Sequence, residues 1–194
     1  MRMVIASNNA KKRKEMIAIL GELGIEVMPA EATAFVYVDE DGETFAENAA
    51  KKAEAFVYAN RLPALADDSG LCVDVLDGEP GVFSSRYAGE HASDAENNSR
   101  LLKEITSAEK RGAHFVCALH LAFPDEQPPI VAEGRVDGMI LDALDGEHGF
   151  GYDPLFYSTE LEKSFACATA REKASVSHRG RALRMLADQL TSVV

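Results

Sequence analysis

Two aspartates stand side by side at positions 67 and 68, in the stretch LADDSGLCVDV. Asp-Ser-Gly is common turn chemistry. The alternative is a metal or general-base site at the end of a short strand, because adjacent buried acids repel unless a cation or donors compensate. VDEDGETFAEN, residues 38–48, brings further acids. A hard divalent cation such as magnesium takes oxygen ligands and completes its shell with water and substrate phosphates. Asp68 with one acid from Asp39–Glu43 would suffice, and a carboxylate there could accept a proton from an attacking water. The competing reading of 39–43 is a solvated acidic loop.

Three other stretches carry chemistry. SNNAKK, residues 7–12, sets small polar residues before a helix that opens with lysines. Backbone N–H groups at a helix start, with a lysine beside them, can hold an anion. The P-loop pattern GxxxxGK[ST] is absent, and a solvated basic first turn would look the same. HGFGYDPLF, residues 148–156, flanks Phe150 with glycines, which suits either a ring stacking on a flat heterocycle or a core aromatic in a tight turn. REKASVSHRGRAL, residues 171–183, gathers Lys173, His178 and Arg179 near a helix start. Such donors suit an acceptor such as a purine carbonyl, or simply a charged helix cap.

The elements that must position these residues follow from periodicity. Arg2–Ala6 is a short apolar strand, and Lys11–Leu23 has helical spacing with Met16, Ile19, Leu20 and Leu23 on one face. Thr44 and Glu47 make a capping box ahead of Phe45, Ala49, Ala53 and Phe56, and Pro63 prevents continuation of that helix. Ala64–Ala66 then forms a strand ending at the double aspartate, with Leu71, Val73 and Val75 alternating beyond it. A second capping box, Ser93 and Glu96, opens a helix to about Ile105. His114–Phe123 and Ile130–Val136 read as an antiparallel pair. A last helix runs from about Arg179 to Leu190, with Leu183, Leu186 and Leu190 inward. Strands alternating with helices and then pairing locally predict an α/β fold with a mixed sheet.

Composition narrows the partners. The 194 residues hold 32 acidic against 20 Lys and Arg side chains, a formal net charge of −12, which repels a nucleic-acid backbone and predicts no nucleic-acid partner. Local lysines and a divalent cation can still reverse the field within one cleft. No apolar run approaches the roughly 18–20 residues that span a bilayer, so no membrane association is expected. The amino terminus is too short in apolar residues for a signal-peptide core. Cys72, Cys117 and Cys167 are odd in number and widely spaced, as expected of buried free thiols in the cytoplasm. With no repeat or linker-like stretch, residues 1–194 read as a single domain.

In order and combination, SNNAKK, TFAENA, ADDSGLCVDVLDGEPGVFSSRYAG, FGYDPLF and EKASVSHRGRAL resemble the inosine/xanthosine triphosphate pyrophosphatases, over residue 3 to about 190. That resemblance implies two α/β lobes around a long mixed sheet flanked by helices, a nucleotide cleft between the lobes, and a homodimer. It implies Mg2+-dependent hydrolysis of a non-canonical purine nucleoside triphosphate to the monophosphate and pyrophosphate. Carried over by motif, Ser7, Asn8, Asn9, Ala10, Lys11 and Lys12 would hold the triphosphate. Asp68 would be the base and, with Glu40, a metal ligand. Ser69 would touch the substrate. Phe150, Gly151, Tyr152 and Asp153 would receive the base and sugar, and Lys173, His178 and Arg179 would contact the base. Many relatives carry Gly-Lys where this chain has Lys11-Lys12, and Asp39, Asp41 or Glu43 could stand in for Glu40. Two other readings are a pyrophosphatase for modified pyrimidine or 7-methylguanine triphosphates, and a nucleotide sensor that has kept the cleft.

Overall fold

The structure, a computed structural model, describes residues 2–193. It is an α/β fold whose strands are β1 (Arg2–Ile5), β2 (Glu26–Val27), β3 (Ala64–Val73), β4 (Gly112–Ala122), β5 (Ile130–Ile140), β6 (Phe156–Ser158) and β7 (Lys163–Ser164). Its helices are α1 (Ala10–Glu22), α2 (Phe45–Asn60), α3 (Asp94–Glu104), α4 (Ala170–Val176) and α5 (His178–Val193). The sheet is mixed, in the order β2-β1-β3-β4-β5-β6-β7. β1 runs parallel to β2 and β3, whereas β6 is antiparallel to β5 and β7.

Local chemistry sets the helix ends. Asn9 caps α1, its side chain accepting from the N–H groups of Lys11 and Lys12. Thr44, Ser93 and Thr169 head α2, α3 and α4 with reciprocal capping boxes to Glu47, Glu96 and Glu172. The boxes at Thr44 and Ser93 are legible in the sequence itself. α2 stops at Arg61 in the left-handed region, two residues before Pro63. Ser177 is extended between α4 and α5, so Lys173 lies on one helix and His178 and Arg179 open the next.

Packing divides the chain into two compact units. The first comprises residues up to Asp68, Cys117–Gly134 and those from Arg179 onward. Its core gathers Val4, Ala6, Ala49, Ala53, Phe56, Ala64, Ala66 and Ala122. The second comprises Ser69–Val116 and Arg135–His178, around a core that includes Leu71, Tyr87, Leu101, Phe115, Phe156 and Phe165. Phe156 and Phe165 meet at 4.9 Å between ring centres. Among the described residues, no helix is long and apolar enough to cross a membrane.

Several expectations change. β3 does not end at the double aspartate but continues to Val73, because both carboxylates find buried partners and need no turn to reach water. Val75 falls in a short 3-10 turn, Asp74–Leu76, and is exposed. Leu23 is exposed just past α1, and Leu190 is only half-buried. Of the three free cysteines only Cys117 is buried; Cys72 is half-buried and Cys167 exposed.

Candidate active site

In the first unit, chemistry concentrates where β3 passes Asp67 and Asp68. Successive strand residues project to opposite faces, and the two carboxylates meet different partners. Asp67, 0% exposed, accepts from Arg179 Nε at 3.3 Å and from another guanidinium nitrogen at 3.1 Å, with Lys12 Nζ 3.5 Å away. Arg179 also pairs with Glu15 of α1. Asp68 accepts from Asn48 Nδ2 at 3.2 Å and lies 3.3 Å from Lys52 Nζ. Lys52 reaches Glu40 at 2.6 Å. Asn48 in turn accepts from the Gly42 N–H at 2.8 Å, fastening the acidic segment to α2.

These surroundings drive the two acids in opposite directions. Burial alone would raise the Asp67 carboxyl, but the Lys12, Arg179 and Lys52 cations outweigh it and hold the group far below the usual carboxylate range. Burial also raises Asp68. There Lys52 and Lys12 offset it only in part, Glu40 and Asp67 add to it, and the carboxyl stands above its ordinary value. Neighbouring titratable groups pushed apart in this way divide into a fixed charge and a proton acceptor. Burial lowers Lys52, yet Asp68, Asp67 and Glu40 together raise it, so it remains an ammonium.

At the entry to α1, the Ser7 hydroxyl accepts from the Asn9 N–H at 3.2 Å, and Asn8 donates to the Val36 carbonyl at 2.9 Å. Arg13 donates to the carbonyl of Ile5 at 3.0 Å, tying the helix to the strand before it. Ala10 begins the helix. Lys11 is exposed, whereas Lys12 turns inward to Asp67.

The second unit carries its own group. Ser69, next in β3, is half-buried. Asp153 Oδ2 accepts from the Phe150 N–H at 2.8 Å and from Lys173 Nζ at 2.6 Å. The Lys173 ammonium lies 4.9 Å from the Phe150 ring centre, within cation–π range. Gly151 is held from both sides, its N–H donating to Asp94 and its carbonyl accepting from Asn98, each at 2.9 Å. Tyr152 is buried and donates to the Ser84 carbonyl at 2.9 Å, so its ring anchors the turn from within the core. His178 is buried against the Phe115 ring, 4.7 Å between centres and nearly parallel.

Gly149 has φ 75°, and a Cβ there would collide with the Asp153 carboxylate. Gly149→Ala is therefore expected to cost about 1–2 kcal/mol from the left-handed backbone alone, and more from displacing Asp153. Urea denaturation measures it; an unchanged midpoint would show that the turn tolerates the side chain.

Spacing alone did not reveal Asn48, Lys52 and Glu15. Asn48 and Lys52 lie four apart on α2, on one face. The one available signal is that these polar residues sit directly beside the small core residues Ala49 and Ala53.

The chain matches the Ham1 family model over residues 3–189. It is 46% identical over 200 residues to a dITP/XTP pyrophosphatase of Clostridium perfringens, covering 98% of both chains. It is 47% identical over 192 residues to one from Geobacter sulfurreducens, covering 97% of this chain and 96% of that one. The solved structure of the Ham1 protein of Staphylococcus aureus superimposes with a TM-score of 0.88 at 39% identity, with all of each chain covered. A motif order kept from β1 to α5 and near-complete overlap in sequence and structure lead to one conclusion: the chain belongs to the Ham1 family.

Proposed function

We propose that this chain hydrolyses non-canonical purine nucleoside triphosphates, the inosine and xanthosine nucleotides and their deoxy forms, to the monophosphate and pyrophosphate. Such an activity would cleanse the nucleotide pool. The observation that carries the reading is the geometry of the buried double aspartate, with Asp67 held by Arg179 at 3.1 Å and Lys12 at 3.5 Å, and Asp68 beside Asn48 at 3.2 Å and the Lys52 ammonium that also reaches Glu40. Relatives named dITP/XTP pyrophosphatase at 46–47% identity support the substrate class.

Each group has a distinct task in this reading. Ser7, Asn8, Asn9, Ala10, Lys11 and Lys12 receive the phosphates, with α1 N–H groups and lysine charge directed at them. Asp68 accepts the proton of the attacking water. Asp67 stays ionised and holds Lys12 and Arg179 in place. Arg179, 2% exposed and engaged by Asp67 and Glu15, adds the support of this charged cluster to its contact with the base. Ser69 touches substrate beside the reacting phosphate. Phe150 stacks on the base, with Gly151, Tyr152 and Asp153 shaping its turn.

Magnesium fits the residues present. Among the described residues no three His, Cys, Asp or Glu side chains gather in a cage. Glu40 and Asp68, however, both lie within 3.3 Å of one ammonium nitrogen, and Mg2+ needs only one or two carboxylates beside substrate phosphates. Glu40 and Asp68 would hold it, and bound there it would supply charge neutralisation on the phosphates. A cytoplasmic location and a homodimer belong to the same reading. The free thiol of Cys117 supports the first. The exposed Phe35 and Tyr37, apolar surface that a second copy could cover, are consistent with the second.

Lys173, His178 and Arg179 select the base. Hypoxanthine and xanthine present a carbonyl acceptor at the 6-position, where adenine presents an amino donor. An ammonium has three donors and can serve Asp153 and a base carbonyl together. Leaving a buried donor unmatched is costly, which rejects adenine. Pyrophosphate release with Mg2+ from inosine, xanthosine, adenosine, guanosine, cytidine and uridine triphosphates tests the proposal. Turnover confined to the first two supports it; preference for a pyrimidine, or no release from any, would sink it. In the same panel, Lys173→Met is expected to reduce the inosine-over-adenosine ratio of kcat/KM by about tenfold or more.

A further inference from the structure

Lys52 touches both carboxylates assigned above to the metal. Its side chain is 9% exposed, its nitrogen 2.6 Å from Glu40 Oε1 and 3.3 Å from Asp68 Oδ1. Asn48, one turn earlier on α2, fixes the other Asp68 oxygen at 3.2 Å and the Gly42 N–H at 2.8 Å. The helix therefore holds the Glu40 segment and the Asp68 strand around a single ammonium. Lys12 is placed differently, 3.5 Å from Asp67.

We propose that Lys52 is a resident counter-ion sharing its position with the divalent metal, so that metal can take Glu40 and Asp68 only when the ammonium withdraws. The inference rests on the metal and triphosphate reading above. An ammonium and a dication cannot both lie between the buried Asp68 and the half-buried Glu40, since like charges a few ångströms apart repel strongly where water is scarce. Lysine can withdraw because its charge sits on a flexible four-carbon stem. A polyphosphate is the acceptor that draws it off, and its arrival frees both carboxylates. Metal and nucleotide then assist each other's binding, and by linkage the assistance is equal in both directions. Free divalent cation binds weakly, which keeps the acids neutralised between turnovers.

The test uses Mn2+ as probe, with the full-length protein and no nucleotide, following the signal of free Mn2+ by electron paramagnetic resonance. Lys52→Met, which removes the charge and keeps the length, is expected to bind Mn2+ about tenfold or more tightly than wild type. Lys52→Arg, which keeps the charge, is expected to bind it no more tightly than wild type. An unchanged or weaker Mn2+ affinity in a folded Lys52→Met protein overturns the proposal. A tighter affinity in Lys52→Arg overturns it even where Lys52→Met does not fold. Asp68→Asn separates the two levels of inference. Mn2+ binding indifferent to Asp68 removes the metal assignment and this proposal with it, whereas binding that needs Asp68 but ignores Lys52 removes only the counter-ion.

Discussion

Asp68→Asn is expected to reduce pyrophosphate release by about 10²–10⁴-fold, the range associated with a positioned general base, while the protein stays folded. The substitution is nearly isosteric, and Lys52 keeps Glu40 at 2.6 Å. Burial raises the Asp68 carboxyl, so its ionised form is disfavoured in the native state. A carboxyl raised on folding contributes stability that is full below its unfolded pKa and is lost as pH rises through the native one. At neutral pH the charged Asp68 is thus a burden on the fold, and a neutral amide relieves it, the familiar exchange of stability for activity. Urea denaturation should give a midpoint equal to or above wild type. Unfolding of the variant, or undiminished turnover, would remove Asp68 from the role of base.

Arg179→Met is expected to destabilise the protein by about 3–5 kcal/mol, the cost of breaking a buried ion pair from one side. Asp67 would remain fully buried, with Lys12 3.5 Å away. Glu15 would lose the same guanidinium. Thermal or urea denaturation measures the loss, and adding Asp67→Asn should recover part of it, since coupled residues are not additive. The acid limb offers an independent check. Asp67 is held below its unfolded value, so its contribution is present above about pH 3.9 and is lost as the pH falls toward the native pKa. Weakening the clamp raises that native pKa, so the variant should gain less stability than wild type between about pH 3 and 5. An Arg179→Met protein as stable as wild type would show that Lys12 alone satisfies Asp67.

Much of the architecture lies open to inspection in the chain because its causes are local. Capping boxes at Thr44 and Ser93, the stop before Pro63 and the 3.6-residue spacing of Met16, Ile19 and Leu20 act within a few residues, and the helices form where they point. The motif order that identified the family is likewise a property of sequence alone. Strand limits were harder. Val75 alternates correctly with Val73, yet it leaves the sheet in a turn closed by local bonds, the Asp77 N–H to the Asp74 carbonyl at 3.2 Å and the Gly78 N–H to the Val73 carbonyl at 3.1 Å.

The roles of charged residues depend on longer paths. Arg179 reads as a donor at a helix start, and only folding brings it to Asp67 across 112 positions. Lys52 reads as one of a pair on a helix, and only folding brings Glu40 and Asp68 to it from either side. Sequence by itself determined the family, the helices α1, α2, α3 and α5 and the candidate acids, since propensity, capping and motif act at short range, whereas α4 emerged only in the structure. Tertiary structure decided which partners hold each acid, because ionisation responds to burial and to charges that distant segments bring within a few ångströms.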